Sequence, residues 1–454
     1  RQRIEDLVID ADFDRDRGRG ELTVRATVVG ATDGSHRVRS TLETLTGRRV
    51  GSVLTADVPV ADYSTLVGEI VSAHVDRGPV AYLRARDLKV HPWSAESPER
   101  YRVVTELLDA AGTVVEAHAT TTGFRRVEVR DRRLLVNDTP IVVHGVNRHD
   151  HHPVTGKTVT VDEIRDELLS MKAHNINAVR TAHYPNDHRL LDLCDELGLY
   201  VIDEANVESH ARQSTLTHDR IWTKAVTERI QRMVVRDRNH PCIIGWSLGN
   251  ESGHAPVHDA AAAWIRAIDP TRFVHYEGSS GRRWMSDSAP WVDGRPPSVS
   301  ERVASDVICP MYPEQHRMVE WARWAEASGL DDRPMLLCEY SHAMGNSNGS
   351  IVDYVDSFHA EPALAGGFVW DWRDQGLDER DDAGRSYWAF GGHFGDDPND
   401  ANFCINGLVG PDGRPHPALR EYMWACRPVR TEYLGGRRIR VVNRRHFKGT
   451  DDLE

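Results

Sequence analysis

Glu251 ends the run Ile-Ile-Gly-Trp-Ser-Leu-Gly-Asn-Glu, and Glu339 sits in Pro-Met-Leu-Leu-Cys-Glu-Tyr, so each acid closes a short apolar stretch. A parallel strand buried on both faces is continuously hydrophobic, and a carboxylate on its last residue therefore stands at the rim where the strand stops. Two carboxyl groups in such places suit cleavage of a glycosidic bond: one protonates the leaving oxygen while the other attacks the anomeric carbon or guides water to it. Retention of configuration would set the two about 5–5.5 Å apart, inversion about 6.5–9.5 Å. The plainer reading, surface acids at strand ends, is open to any chain with 69 Asp and Glu residues. That both acids follow buried runs favours chemistry.

Other side chains collect at comparable places. Asn250 precedes Glu251, where an amide offers a sugar hydroxyl a donor and an acceptor at once. Tyr312, in Cys-Pro-Met-Tyr, is placed to donate to a nucleophilic carboxylate and keep it ionised, and Trp370, in Gly-Gly-Phe-Val-Trp-Asp-Trp, offers an indole face to a sugar ring or to the core. His149, His151, His152, His183, His210 and His342 all follow apolar runs, which predicts a shared mouth. Two readings of the histidines stay open: neutral imidazoles bonding sugar hydroxyls, or ligands of a hydrolytic metal. Glu208 and His210 with Glu251 across the pocket form a donor set that suits magnesium or manganese, whereas zinc would want more nitrogen or sulfur.

The elements that must carry these residues show in the patterning. At 454 residues, 40% hydrophobic and 28% charged, the chain predicts two or three soluble domains. A net charge of −13 argues against a nucleic-acid partner and suits a neutral polar substrate. The six cysteines lack Cys-x-x-Cys spacing and read as reduced core residues, no apolar run reaches the roughly 18 residues of a membrane span, and the N-terminal Arg-Gln-Arg-Ile-Glu-Asp-Leu lacks a signal-peptide core, so a cytoplasmic location is expected.

Residues 1–128 alternate short strands with turns, in Glu21–Val29, Val80–Leu88 and Tyr101–Leu108, and predict an antiparallel immunoglobulin-like β-sandwich with Trp93 in its core. Over 129–427 apolar strands alternate with amphipathic stretches, the mark of repeated β-α units closing as a (β/α)8 barrel. The expected strands are Ile141–Gly145, Ala178–Thr181, Leu199–Asp203, Ile243–Leu248, Phe273–Tyr276, Val307–Met311, Met335–Glu339 and Gly367–Trp372. Helices are expected at Val161–His174 and Thr223–Asp237, and a long loop at Gly281–Pro297. Residues 428–454 return to strand and read as the opening of a second, truncated sandwich.

Six segments then carry a resemblance: His-Gly-Val-Asn-Arg-His-Asp-His-His-Pro, Ala-Val-Arg-Thr-Ala-His-Tyr-Pro-Asn, Asp-Glu-Ala-Asn-Val-Glu-Ser-His, Ile-Ile-Gly-Trp-Ser-Leu-Gly-Asn-Glu-Ser-Gly-His, Cys-Glu-Tyr-Ser-His-Ala-Met-Gly-Asn-Ser and Gly-Gly-Phe-Val-Trp-Asp-Trp-Arg-Asp-Gln. In order across most of 139–425, they resemble the large multidomain β-galactosidases of glycoside hydrolase family two; β-glucuronidases and β-mannosidases share the Asn-Glu pair, and such a related activity is an alternative expectation. The resemblance implies retaining hydrolysis of terminal β-D-galactosides such as lactose, with Glu251 as acid/base and Glu339 as nucleophile. It implies magnesium, or manganese, on Glu208, His210 and Glu251; substrate contacts from His149, His183, Asn250, Tyr312, His342 and Trp370; and a partial sodium site on the Phe403 carbonyl and Asn406. A homo-oligomer and a small-molecule substrate follow, with no nucleic-acid or membrane partner. The family's jelly-roll domain and two later domains have no counterpart in these residues, so an inactive or sugar-binding fragment is the competing expectation. Ala211-Arg212-Gln213 stand where the family has glycine, which predicts a different loop path beyond His210.

Overall fold

The computed structural model describes residues 2–31, 34–59, 79–212, 214–279 and 304–453; the expected loop Gly281–Pro297, and Gln213 in the segment after His210, lie outside the described residues. Packing divides the chain into one unit of Arg1–Arg126 with Arg238–Pro241 and another of Val127–Asp237 with Cys242–Glu454.

The first unit holds β1 (Arg3–Asp14), β2 (Arg19–Val29), β3 (Arg37–Thr44), β4 (Leu54–Asp57), β5 (Val80–Leu88), β6 (Tyr101–Leu108) and β7 (Val114–Thr122). They pair as two antiparallel sheets, ordered β1-β2-β5 and β4-β3-β6-β7. Period-two alternation sets the inner faces: Leu22, Val24, Ala26 and Val28 of β2 are buried, as are Tyr101, Val103 and Leu107 of β6. The one hydroxyl pair in this core satisfies itself, Thr105 Oγ1 lying 2.9 Å from Ser40 Oγ. Trp93 is fully buried, the core role its surroundings predict.

The second unit opens with three short antiparallel strands, β8 (Val127–Arg130), β9 (Arg133–Val136) and β10 (Thr139–Pro140). Seven parallel strands follow: β11 (Val143–Arg148), β12 (Ala178–Thr181), β13 (Tyr200–Glu204), β14 (Ile243–Ser247), β15 (Phe273–His275), β16 (Met335–Tyr340) and β17 (Leu364–Val369), in the order β15-β14-β13-β12-β11-β17-β16. Every residue of β11 to β17 is buried, which is why they read as apolar runs. The expected sixth strand, Val307–Met311, makes isolated parallel bridges at Ile308 to Met335 and Met311 to Glu339 rather than a ladder. Pro310 in its middle has no N–H to donate. On its other side Asp306 N–H donates to Val274 O at 2.8 Å, so this segment closes the ring between β15 and β16.

Helices α1 (Val161–Ala173), α2 (His188–Leu197), α3 (Ser214–His218), α4 (Thr223–Asp237), α5 (Pro256–Ile268), α6 (Gln315–Ser328), α7 (Ile351–Ala360) and α8 (Pro417–Ala425) lie between and after the strands. In α1, Thr160 and Glu163 form a reciprocal capping box and Ile164, Leu168 and Met171 are buried at helical spacing. The first barrel strand begins at Val143 rather than Ile141, and the last ends at Val369, leaving Trp370 just beyond it. The fourth stops at Ser247, so Glu251 stands four residues past the strand rather than on its last residue. Two hairpins complete the unit: Leu377–Arg380 with Ser386–Ala389, and Val429–Tyr433 with Ile439–Asn443.

The ring is tight where β11 meets β17: a Cβ on Gly145 would lie 2.3 Å from Phe368 Cδ1. Gly145→Ala is therefore expected to cost about 1–3 kcal/mol by overpacking. Urea unfolding measures it, and an unchanged midpoint would show that the β11–β17 contact yields freely.

Candidate active site

One fully buried guanidinium organises the carboxyl ends of the strands. Arg180, within β12, bonds Glu204 Oε2 through Nε at 2.8 Å, Asn147 Oδ1 and Glu339 Oε1 through Nη1 at 2.7 and 3.1 Å, and Asn250 Oδ1 through Nη2 at 2.7 Å. It thus ties the acid of β16 to the amide beside Glu251, whose charge acts on Glu339. Arg180 and Glu204 have no exposed side-chain surface. Arg180 holds the Glu204 carboxyl down at about 2, against burial and with help from His183 and the Ser247 hydroxyl.

Glu339, the fifth residue of β16, also accepts the Tyr312 hydroxyl at 2.7 Å. Tyr312 reaches it from a left-handed position, φ 46°, with its own N–H on Glu339 O at 2.9 Å. Burial pushes the Glu339 carboxyl up to about 8; Arg180 and Tyr312 pull against that, and the charge of Glu251 adds to it.

Glu251 is carried on a turn held from both sides. Gly249 (φ 134°) brings its backbone against Val207, where a Cβ would come within 2.4 Å of Val207 O. Asn250 N–H then donates to Val207 O at 2.8 Å, and Glu251, itself at φ 38°, donates its N–H to Glu277 Oε1 at 2.7 Å. Glu277 follows β15, and burial, then the charge of Glu251, pushes its carboxyl up to about 7.

Asn250 differs from expectation. Its Nδ2 donates to Glu208 Oε2 at 2.7 Å and faces His183 Nε2 at 3.3 Å, and its Oδ1 accepts from Arg180, so what remains for a hydroxyl is one lone pair on Oδ1. His183 lies 2.7 Å from Glu204 Oε1 through Nδ1; a carboxylate only accepts, so the ring proton sits there and Nε2 is the acceptor facing the pocket. Burial lowers His183 to about 4, and the ring is neutral.

The rings divide into two groups. His183 stacks on Trp370 at 4.9 Å and 11°, and His149 stands edge-on to both at 5.7 and 5.4 Å. His342 lies between Tyr312, at 5.8 Å, and Phe403, at 5.7 Å. The shared mouth excludes two expected members: His151 bonds the Gly376 carbonyl through Nε2 at 3.0 Å, while His152 Nδ1 accepts Val154 and Thr155 N–H and its Nε2 lies 3.2 Å from Glu163. Their loop turns back on itself through His152–Gly156 bonds, so position after a strand was an incomplete guide.

Of the expected metal donors, His210 Nε2 lies 3.5 Å from Glu251 Oε2, and Glu208 Oε1 accepts the His210 N–H at 3.0 Å. Charge marks the place: burial, with the charges of Glu251 and Glu204, pushes the Glu208 carboxyl up to about 8. At Asn406, Nδ2 donates to Phe403 O at 2.8 Å while the buried Oδ1 has no hydrogen-bond partner among the described residues. Sequence reasoning missed Arg180, Glu204 and Glu277. A cation inside the apolar strand Ala-Val-Arg-Thr, and acids ending Tyr-Val-Ile-Asp-Glu and Phe-Val-His-Tyr-Glu, were the available signals.

A closed parallel α/β ring with acids on its carboxyl rim, one bonded by a tyrosine and the other preceded by an amide, defines a barrel with a carboxylate-pair site. The chain belongs to the glycosyl hydrolases family 2: residues 127–431 match its TIM barrel domain and residues 2–125 match a further family 2 domain. It is similar to a β-galactosidase of Aeromonas hydrophila, 46% identical over 372 residues, taking in 79% of this chain and 34% of that protein. A β-galactosidase of Pectobacterium atrosepticum is 41% identical over 455 residues, 98% of this chain and 41% of that protein. The chain thus spans well under half the length of these relatives. Among solved structures, a β-glucuronidase of Bacteroides uniformis superposes with a TM-score of 0.66 at 17% identity, over 95% of this chain and 53% of that one, a likeness of fold.

Arg180→Met would leave Glu204 and Glu339 buried without their cation, an expected loss of about 3–5 kcal/mol at neutral pH. Glu204 is depressed from 4.5 to about 2 in the fold, so its share of stability is present above pH 4.5 and lost as pH falls toward 2. Urea unfolding of both proteins at pH 7 and at pH 3.5 should show the deficit shrinking in acid; an equal deficit at both would overturn the ion-pair account.

Proposed function

We propose that this site hydrolyses terminal β-D-galactosides, lactose among them, with retention of configuration. The observation that carries the reading is Glu339 held by Arg180 and Tyr312 while Glu251 stands on the adjoining turn, and the 41–47% identity to β-galactosidases supports the galactoside as substrate. In the first step a Glu339 oxygen bonds to the anomeric carbon as the bond to the leaving oxygen breaks, and the Glu251 proton passes to that oxygen. The product is a galactosyl ester on Glu339. In the second, Glu251 as carboxylate takes a proton from water, the water oxygen bonds to the anomeric carbon, and Glu339 leaves as carboxylate. Two charge-assisted donors on Glu339 favour its ionised form and stabilise it again as leaving group. The His183–Trp370 stack with His149 would bound one side of the sugar, and His342 the other.

The proposal includes a divalent cation, magnesium or manganese, on Glu208, His210 and Glu251. Two carboxylates and one imidazole suit a hard ion, and a cation there would oppose the rise that burial, and then the charges of Glu251 and Glu204, impose on Glu208. Bound, it would supply positive charge beside the acid/base. The partnerless Asn406 Oδ1 and the Phe403 carbonyl fit part of a sodium site in the same way. A cytoplasmic location belongs to the same reading, supported by six free cysteines.

Glu339→Gln is expected to lower turnover of a β-galactoside by about four orders of magnitude or more. For the wild-type protein, proton NMR of the first product formed should show the β-anomer; an initial α-anomer would rule out the double displacement. Glu208→Gln should weaken manganese binding at least about tenfold, followed by the paramagnetic resonance of free ion. Unchanged binding would remove Glu208 from the ligand set.

A further inference from the structure

Glu277 has no part in the two-step scheme, yet its Oε1 accepts the backbone N–H of Glu251 at 2.7 Å. That residue needs holding. At φ 38° a side chain-bearing residue is in a conformation costing about 1–2 kcal/mol, which persists only where neighbours over-determine it. On the β13 side the turn is fixed by Asn250 N–H on Val207 O and by the Glu208–Asn250 bridge. On the β15 side it is fixed by the Tyr276 hydroxyl, which donates to Gly253 O, and by Glu277. The Tyr276 ring is itself clamped by His258, stacked at 4.2 Å. Glu277 is buried at 9% exposure, and a Cβ on the next residue, Gly278, would meet Gly253 O at 2.6 Å, so the two loops run in direct contact.

We infer that Glu277 is a positioning residue for proton transfer: by accepting the Glu251 N–H it fixes the turn that aims the Glu251 carboxyl at the leaving oxygen. The inference rests on the reading of Glu251 as the acid. The bond needs only a lone pair on Oε1, which a glutamine amide also provides. Losing the aim of an acid hurts most where the leaving group most needs a proton, so the effect must grow as the leaving group becomes more basic. A residue that merely held the fold would lower all substrates alike.

The test is kcat/KM across a series of β-galactosides, from dinitrophenyl to simple alkyl aglycones, for Glu277→Ala, Glu277→Gln and Glu251→Gln. Circular dichroism and urea midpoints establish that each variant is folded. Glu277→Ala is expected to lose at least about tenfold more on the alkyl galactoside than on the dinitrophenyl one, while Glu277→Gln restores the wild-type pattern on both. A uniform loss across the series, or a glutamine variant as defective as alanine, would overturn the role given to Glu277. The Glu251→Gln control separates the two readings: if it shows no leaving-group dependence, the acid assignment itself fails, whatever Glu277 does.

Discussion

A cation that no solvent reaches, Arg180, is the constraint on which the rest of the site depends. Burying a guanidinium is costly unless its donors are met by acceptors, and here Glu204, Glu339, Asn147 and Asn250 meet them from β13, β16, β11 and the turn beyond β14. The same bonds that satisfy the charge set the spacing of strand ends around the ring. Glu204 extends the arrangement, since its second oxygen takes His183 Nδ1 and so fixes which nitrogen of that ring faces the pocket. The orientations of the His183 imidazole and of Glu339 are therefore two consequences of one buried ion pair, and they cannot be adjusted independently.

The rim concentrates strained backbone. Glu251, Tyr312 and Ser341 sit at φ 38°, 46° and 51°, each just after or beside a barrel strand. Strands deliver a residue to the mouth but point successive side chains to opposite faces, so a strand alone presents only alternate positions to the pocket. A left-handed residue breaks that alternation and turns the chain across the opening. The structure holds these positions with specific bonds: Glu277 on Glu251, and the Glu339 carbonyl on Tyr312.

Much of this was legible in sequence, and the failures have physical reasons. Runs such as Ile243–Ser247 and Met335–Tyr340 announce themselves because both faces are covered, and the alternation in Arg19–Val29 because only one is. Glu251, Glu339 and Tyr312 draw attention in the sequence because polar residues at the end of apolar runs stand out. Val307–Met311 reads as a strand like its neighbours, but one missing N–H at Pro310 reduces it to bridges, a loss that hydrophobic pattern does not register. His151 and His152 were misplaced because their loop path depends on bonds local to His152–Gly156. Arg180 is a charge in mid-strand, within Ala-Val-Arg-Thr, and its acceptors come from segments far apart in the chain, which no local pattern of residues reveals.

Glu251 stands among carboxyls in a way that bears on the chemistry proposed for it. Its charge pushes Glu208, Glu277 and Glu339 upward, each already raised by burial, while the Arg180 guanidinium bonds Glu339 and Glu204. Interactions between charges are mutual, so a proton on the Glu251 carboxyl, or a divalent ion against it, relieves three neighbours together. Acid catalysis requires a group that gives up a proton as the leaving oxygen departs, and then regains one from water. On the reading proposed for the site, the carboxyls of Glu208, Glu277 and Glu339 stand around Glu251, while the Arg180 guanidinium and the Tyr312 hydroxyl are aimed at Glu339. The division of labour proposed for the two glutamates thus rests on where Arg180 and Tyr312 point.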